Sequence, residues 1–356
     1  MDGILHRLEP CDHRLCLHGH AVQVLCDVPS LNWPIHHAFG EFATPDWPDG
    51  FAPVAGHVAP YEQDVVMRHL SPHAVAVATD DLTEIYEHEG RFWVVDDRWG
   101  LAEINLLKGC WKSWVLPRPA LARWQVAEAA VTWPMAQLLR QKGLALIPAA
   151  SVAAGGFGVL ILSPFGIEPE LTALVSAGWR VVGQRWTALR EEDGRISMLR
   201  LPGRVERLTG PRYRSTGGEV AVAQQQHWVD LSQERPGSSA HHAFCDAVVV
   251  VDPARRATVG ARAARGSGVT ASIRKSWPMI DLHAGGGGAA LHLPARLAAG
   301  CAVLEAQLSR RPGDFVAILE KLRLSHPVAP ATPAKITATV RPAVQPTRPA
   351  PRRIPA

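Results

Sequence analysis

A chain of 356 residues has room for two domains and a large buried core. With 47% apolar and 20% charged residues it has the balance of a soluble globular protein. Much of its net charge of +4 sits near the end, at Lys335, Arg341, Arg348, Arg352 and Arg353, and says little about partners. No apolar run reaches membrane-spanning length and Met1–Arg7 lacks a signal-peptide pattern, so a cytoplasmic location is expected.

In chain order, Arg14 to Asp27 alternates around His18-Gly19, which predicts a hairpin with glycine in the turn. The stretch 28–67 is rich in Pro, Trp and His and reads as irregular. Alternation returns at Ala74–Thr79, Leu82–His88 and Arg91–Asp96, with turns at Glu89-Gly90 and Asp97–Gly100 and a short strand at Leu101–Leu106. These elements predict a mostly antiparallel N-terminal β domain over residues 1–118, bounded by Pro117 and Pro119.

Leu121–Gln141 repeats apolar residues at Val126, Ala130, Val131, Met135, Leu138 and Leu139, the spacing of a helix. Pro134 should kink or interrupt it, and Gly143 should close it. Strands are predicted at Ala145–Val152 and Phe157–Leu162, followed by a turn at Ser163–Glu168 and a helix over Pro169–Ala177 capped by Gly178. Further strands fall at Trp179–Val182, Thr187–Arg190, Ile196–Leu201 and Ala247–Val251. A loop at Gly285–Gly288 and helices at Pro294–Leu308 and Pro312–Leu322 complete a second domain, 119–324. Residues 325–356 alternate Pro, Ala, Thr, Val and Arg and cannot build a core, so a disordered tail is expected. The fold class is α/β, of the α+β kind.

The segment from Gly158 to Val182 carries the most information. An apolar strand, a turn containing Gly166, an amphipathic helix and a second apolar strand follow the plan of a phosphate-binding loop. Yet no Lys or Ser/Thr follows the glycine, and Glu168, Pro169 and Glu170 stand there instead.

The block from Gln141 to Pro202 resembles the C-terminal kinase domain of the HPr kinase/phosphorylase superfamily, which includes peptide-tailoring kinases. Lys142-Gly143-Leu144, the strand Ala145–Val152, Phe157–Leu162, Ser163-Pro164-Phe165-Gly166, the helix to Gly178, Val181-Val182 and Arg200-Leu201-Pro202-Gly203 carry the resemblance. The chemistry does not carry over. The turn is two residues shorter than Gly-x-x-Gly-x-Gly-Lys-Ser, as though Gly-Lys were deleted. The magnesium-holding hydroxyl falls at or near Glu168, the preceding histidine at Pro148, and the paired aspartates at Gln184 and Arg185. Ser163, Phe165, Gly166, Ile167, Glu168, Pro169, Glu170, Gln184 and Arg185 are thus the remnant of a nucleotide site, with no catalytic residue and no cofactor expected. The resemblance implies a degenerate kinase, a pseudokinase, that binds a protein or peptide or acts as an assembly factor. The alternative is an active serine kinase of a small protein or peptide, with ATP and magnesium held by relocated cations such as Arg185 or Arg180. The family's rings leave a homo-oligomer open.

Other clusters receive a structural reading first. Cys11, His13, Cys16, His18, His20 and Cys26 are residue types that zinc prefers but lack paired ligand spacing, so core cysteines and a histidine-bearing hairpin tip are expected. The six cysteines read as reduced thiols. His36, His37, His57, His69 and His73 have no carboxylate at the spacing of a metal site. His241-His242 before Cys245 suggests a thiol–imidazole pair, though a buried thiol is the plainer expectation. Arg204, Arg207, Arg212, Tyr213 and Arg214 could hold an acidic partner or a nucleic acid, though a solvated loop is the plainer expectation; they are the candidate surface for a protein or peptide partner, with nucleic acid and membrane not expected. The twelve tryptophans are expected mostly in the core, with a docking surface as the functional alternative.

Overall fold

The computed structural model describes residues 10–45, 52–79, 82–163, 167–201, 205–209, 225–256, 260–263, 270, 273, 289–309 and 311–326. Its N-terminal part is built on an eight-stranded sheet in the order β1-β2-β3-β8-β7-β6-β5-β4. The strands are β1 (Cys11–Leu17), β2 (His20–Cys26), β3 (Val54–Pro60), β4 (Val75–Thr79), β5 (Thr83–His88), β6 (Arg91–Asp96), β7 (Gly100–Asn105) and β8 (Cys110–Val115). Pairing is antiparallel except where β3 lies parallel between β2 and β8. The hairpin at His18-Gly19 and the meander form where alternation predicts them.

The stretch 28–67 is not irregular, however. It holds α1 (Pro29–Phe39), the central strand β3 and a short helix, α2 (Val65–His69). β3 escapes an alternation pattern because one of its positions, Gly56, must carry no side chain. The indole of Trp111, its register partner on β8, fills that space. A Cβ at Gly56 would lie 2.0 Å from the ring.

The predicted long helix forms as α3 (Arg123–Ala127), a π turn (Glu128–Thr132) and α4 (Trp133–Gln141). Pro134 interrupts the α-helical bonding without ending the helix. It has no N–H for the carbonyl of Ala130, four residues back, and its ring crowds that oxygen. The wider turn relieves the clash, a usual origin of π segments. The Ala130 oxygen instead accepts hydrogen bonds from Trp111 Nε1 at 3.1 Å and Ser113 Oγ at 2.7 Å. Val126, Ala130, Val131, Met135, Leu138 and Leu139 are all buried in one core with the N-terminal sheet. The apolar core therefore continues across the boundary expected at residue 118.

The second part has a six-stranded sheet in the order β12-β10-β11-β18-β20-β19. These are β10 (Ala150–Ala154), β11 (Phe157–Leu162), β12 (Arg180–Gly183), β18 (Ala247–Arg256), β19 (Gly260–Ala263) and β20 (Ala302–Ser309). β11 is buried along its length, as its unbroken apolar run requires. Phe157, Val159 and Ile161 face helices α5 (Glu168–Ser176) and α8 (Pro312–Ser325). Leu160 and Leu162 face a four-stranded sheet, β17-β14-β13-β9, and helix α7 (Ala289–Gly300). That sheet comprises β9 (Ala145–Ile147), β13 (Thr187–Glu192), β14 (Arg195–Leu199) and β17 (His242–Phe244). β15 (Val205–Thr209) and β16 (Gln225–Val229) pair by themselves, and a short helix, α6 (Leu231–Glu234), follows.

Two segments differ from expectation. The strand Ala145–Val152 divides at Pro148-Ala149 into β9 and β10, which join different sheets. Proline cannot donate to a ladder and marks the break. The helix expected over Pro294–Leu308 stops at Gly300, and Ala302–Ser309 is β20, parallel to β18. Leu297, Cys301, Leu304 and Leu308 happen to fall at helical spacing, but long-range pairing overrides that local pattern. The Gly285–Gly288 loop and the tail from residue 327 lie outside the described residues.

Gly56→Ala should cost about 2 kcal/mol by forcing the Trp111 indole off its seat. Urea unfolding checks this, and an unchanged midpoint would show that the close approach at Gly56 carries no weight.

Candidate functional site

Strand β11 and helix α5 form where the sequence predicts them. β11 runs through Leu162, Ser163 follows half-buried, and α5 begins at Glu168. Phe165 and Gly166 of the turn lie outside the described residues. Ile167 is buried beneath the helix start with Leu171 and Leu174. Glu168 and Glu170 both occupy the first turn of α5, with Pro169 between them. Glu168 Oε1 accepts a hydrogen bond from Thr172 Oγ1 at 3.1 Å, and Glu170 is only 1% exposed.

The electrostatic consequence is direct. A helix N-terminus attracts anions through its N–H groups and dipole. Here the half-buried Glu168 carboxylate in the first turn of the same helix complements it. A phosphate oxygen about 5 Å from it would meet roughly 3 kcal/mol of repulsion per charge pair at an effective dielectric near 20. Pro169 further removes one backbone donor.

Gln184 and Arg185, which stand where metal-binding aspartates are expected by resemblance, have structural partners. Gln184 Nε2 donates to Asp230 Oδ1 at 2.8 Å, and its Oε1 accepts from Leu231 N at 3.1 Å. It thereby fastens β12 to the start of α6. Arg185 Nε donates to Glu128 Oε2 on the π turn at 2.5 Å. That ion pair ties the second part of the chain to the helix on the first sheet.

One carboxylate at this corner is absent from the sequence candidates. β18 lies parallel beside β11, with Leu162 opposite Val250, so Asp252 falls at the same sheet end as Ser163. Its Oδ2 accepts from Gln307 Nε2 at 3.2 Å. The sequence signal is an apolar β-strand, Ala247–Val251, closed by an acid, a pattern that in P-loop enzymes supplies a metal-binding aspartate.

Of the basic candidates, Arg207 lies on β15 opposite His227, while Arg204, Arg212, Tyr213 and Arg214 lie outside the described residues. Arg195 binds Asp246 at 2.8 Å and sits 4.0 Å over the Phe244 ring. Arg200 binds Glu41 at 3.0 Å.

Cys245 and His242 do not pair. His242 Nε2 lies 3.1 Å from Ser197 Oγ, while Cys245 is buried with its thiol toward the carbonyl of Ala247. The neighbouring Cys301 thiol and then burial push the Cys245 thiol well up, away from the nucleophilic thiolate. Cys26 is likewise pushed up to about 11, chiefly by burial. All six cysteines are free. Trp93, Trp99, Trp111, Trp114, Trp179 and Trp186 are buried, whereas Trp33 is exposed beside His37 and Trp124.

At the N-terminal hairpin His13, His18 and His20 all have pKa values lowered chiefly by burial. His18 Nε2 lies 2.6 Å from the carbonyl oxygen of Arg200, and nearby Arg190 and His241 disfavour its charge while Glu41 favours it. Among the described residues, no group of three His, Cys, Asp or Glu side chains is arranged to hold a metal ion.

No protein-family model and no curated protein matches the chain. Among solved structures it is similar to the Hpr(Ser) kinase/phosphatase from Coxiella burnetii. That match covers 51% of this chain and 97% of the other, at 11% identity and a TM-score of 0.29. At that identity and TM-score the match carries no family, residue or activity over to this chain.

The hairpin histidines make stability sensitive to acid. Their folded pKa values lie below the unfolded value of about 6.5, so the unfolded chain binds more protons once the pH drops beneath it. Stability should be indifferent to these groups above that pH and fall as the pH descends toward the folded values. Urea midpoints at about pH 7.5 and 5.5 should show the drop, bracketing the unfolded histidine pKa. His18→Asn should blunt it, since asparagine tolerates the φ of 49° at this turn position.

Proposed function

We propose that this chain is a catalytically degenerate relative of HPr-type kinases that binds a protein or peptide partner, or helps assemble one, without transferring phosphate. The observation that carries the reading is the use made of Gln184 and Arg185. Phosphoryl transfer depends on cations and metal ligands positioned at the phosphates. At this corner the equivalent positions instead hold a helix start through Gln184 and an ion pair to Glu128 through Arg185. Glu168 supplies negative charge that the α5 N-terminus would otherwise draw from a nucleotide. No cofactor is required on this reading, and a cytoplasmic setting remains part of it. Among the described residues no helix is long and apolar enough to cross a membrane.

A second reading, an ATP-dependent serine kinase of a small protein or peptide, has one observation in its favour. Asp252 stands at the strand end where a magnesium-binding carboxylate belongs. Magnesium there, with Arg180 or Arg185 turned toward the phosphates, would be its minimum equipment.

Calorimetric titration with ATP and magnesium separates the two. We expect no saturable heat and no rise in melting temperature with ATP, GTP or pyrophosphate. A nucleotide bound at a hundred times its Kd would instead add about 2.7 kcal/mol of stability. Saturable binding that Asp252→Asn removes would overturn the first reading in favour of the second.

A further inference from the structure

Between the meander and the π turn lies a cavity of about 340 Å³. Ile85, Val94 and Ile104 of the sheet form one wall, and Ala129 and Trp133 of the helix form the other. Trp99 closes one side from the β6–β7 turn. Small side chains leave the space open, with Ala102 on the sheet wall and Ala129 on the helix wall.

Both walls are anchored from outside the cavity. The helix is tied to β8 through the Ala130 oxygen, which accepts from Trp111 and Ser113, and to the second part of the chain through Glu128 and Arg185. The β6–β7 turn is held by Leu116 N, which donates to the Trp99 oxygen at 2.9 Å, and by Ala120 N, which donates to the Arg98 oxygen at 2.7 Å. Gly100 follows with a φ of 139°, and a Cβ there would lie 2.0 Å from the carbonyl oxygen of Trp114. The two sides therefore stay apart without a filling residue.

Charge in this space is balanced. Asp96 pairs with Arg98 at 2.6 Å and Glu128 with Arg185 at 2.5 Å, so the two acids and two arginines sum to zero. Thr83 Oγ1 also donates to Asp96 at 3.0 Å, and both arginines have partners beyond their acids. No net charge is left to offset the dehydration of an ion, and burying an ion without an opposite charge is costly. An uncharged molecule gives up little water and covers apolar wall.

We infer that this cavity is a binding site for a small uncharged aromatic molecule of one or two rings. An apolar cavity of roughly 150 Å³ accepts benzene, and ligand sites begin near about 300 Å³, so this volume has room for such a body. Trp99 and Trp133 provide aromatic surface for stacked or edge-to-face contact. The Trp133 ring is itself set by an edge-to-face contact with Trp186, centroids 5.5 Å apart. The π turn that lines the cavity belongs to a class of helix irregularity often found at functional sites. The site is separate from the nucleotide-site corner, so it stands or falls independently of whether ATP binds.

Calorimetry on the full chain with three probes of one shape provides the test: phenylbutanamide, which is uncharged, phenylbutyrate, an anion, and phenylbutylamine, a cation. Trp99 and Trp133 make tryptophan fluorescence a second readout of occupancy. We expect saturable binding of the amide, about tenfold or more tighter than either ion. Ala129→Leu should fill the space and abolish that binding. If that variant fails to fold, Ala102→Val narrows the cavity from the sheet side and should weaken the amide about tenfold. Glu128→Gln leaves one arginine uncompensated, so phenylbutyrate should gain about tenfold on the amide. The inference is overturned if the amide does not saturate, if either ion binds as tightly, or if a folded cavity-filling variant binds the amide unchanged. A ranking that Glu128→Gln leaves unmoved overturns it as well.

Discussion

The architecture depends on how one backbone oxygen is satisfied. Pro134 denies the Ala130 carbonyl its helical donor, and a buried carbonyl left without a partner costs about 1–3 kcal/mol. Trp111 and Ser113 on β8 supply the missing donors. Trp111 can reach across only because Gly56 on β3 leaves the space for its indole. A proline, a tryptophan, a serine and a glycine from three separate elements thus answer one requirement, and together they fix the helix to the sheet. The same π turn carries Glu128, whose ion pair with Arg185 reaches the second part of the chain. The π turn thus meets both the first sheet and the second part of the chain.

The corner after β11 follows the same logic of internal satisfaction. A strand, turn and helix that elsewhere present N–H groups to phosphate here start their helix on Glu168, Pro169 and Glu170. The dipole is complemented from within, and the positions after β12 hold α6 and the π turn in place. The polar side chains at these positions serve packing. Asp252, at the same sheet end, comes from a strand far along the chain.

The buried acids explain why the arginines matter. Asp96 is raised by burial, but the hydrogen bonds from Arg98 and Thr83 outweigh this and hold its carboxyl below the usual range. An anion that is firmly ionised beneath a guanidinium keeps the cation oriented. At Glu128 and Arg185 the acid is likewise the more buried partner.

Much of the local structure was legible in the residues alone. Strand β11, helix α5, the His18-Gly19 hairpin and the meander appear where period and turn chemistry put them, because neighbours a few residues apart decide such elements. That no lysine follows Gly166 was equally plain, since absence of a residue type needs no coordinates. Strand β3, the parallel strand β20, the partners of Gln184 and Arg185, and the placement of Asp252 were not legible. Each rests on residues distant in sequence: Gly56 against Trp111, β20 against β18, Arg185 against Glu128. No local window contains those energies, so only the folded chain could decide them.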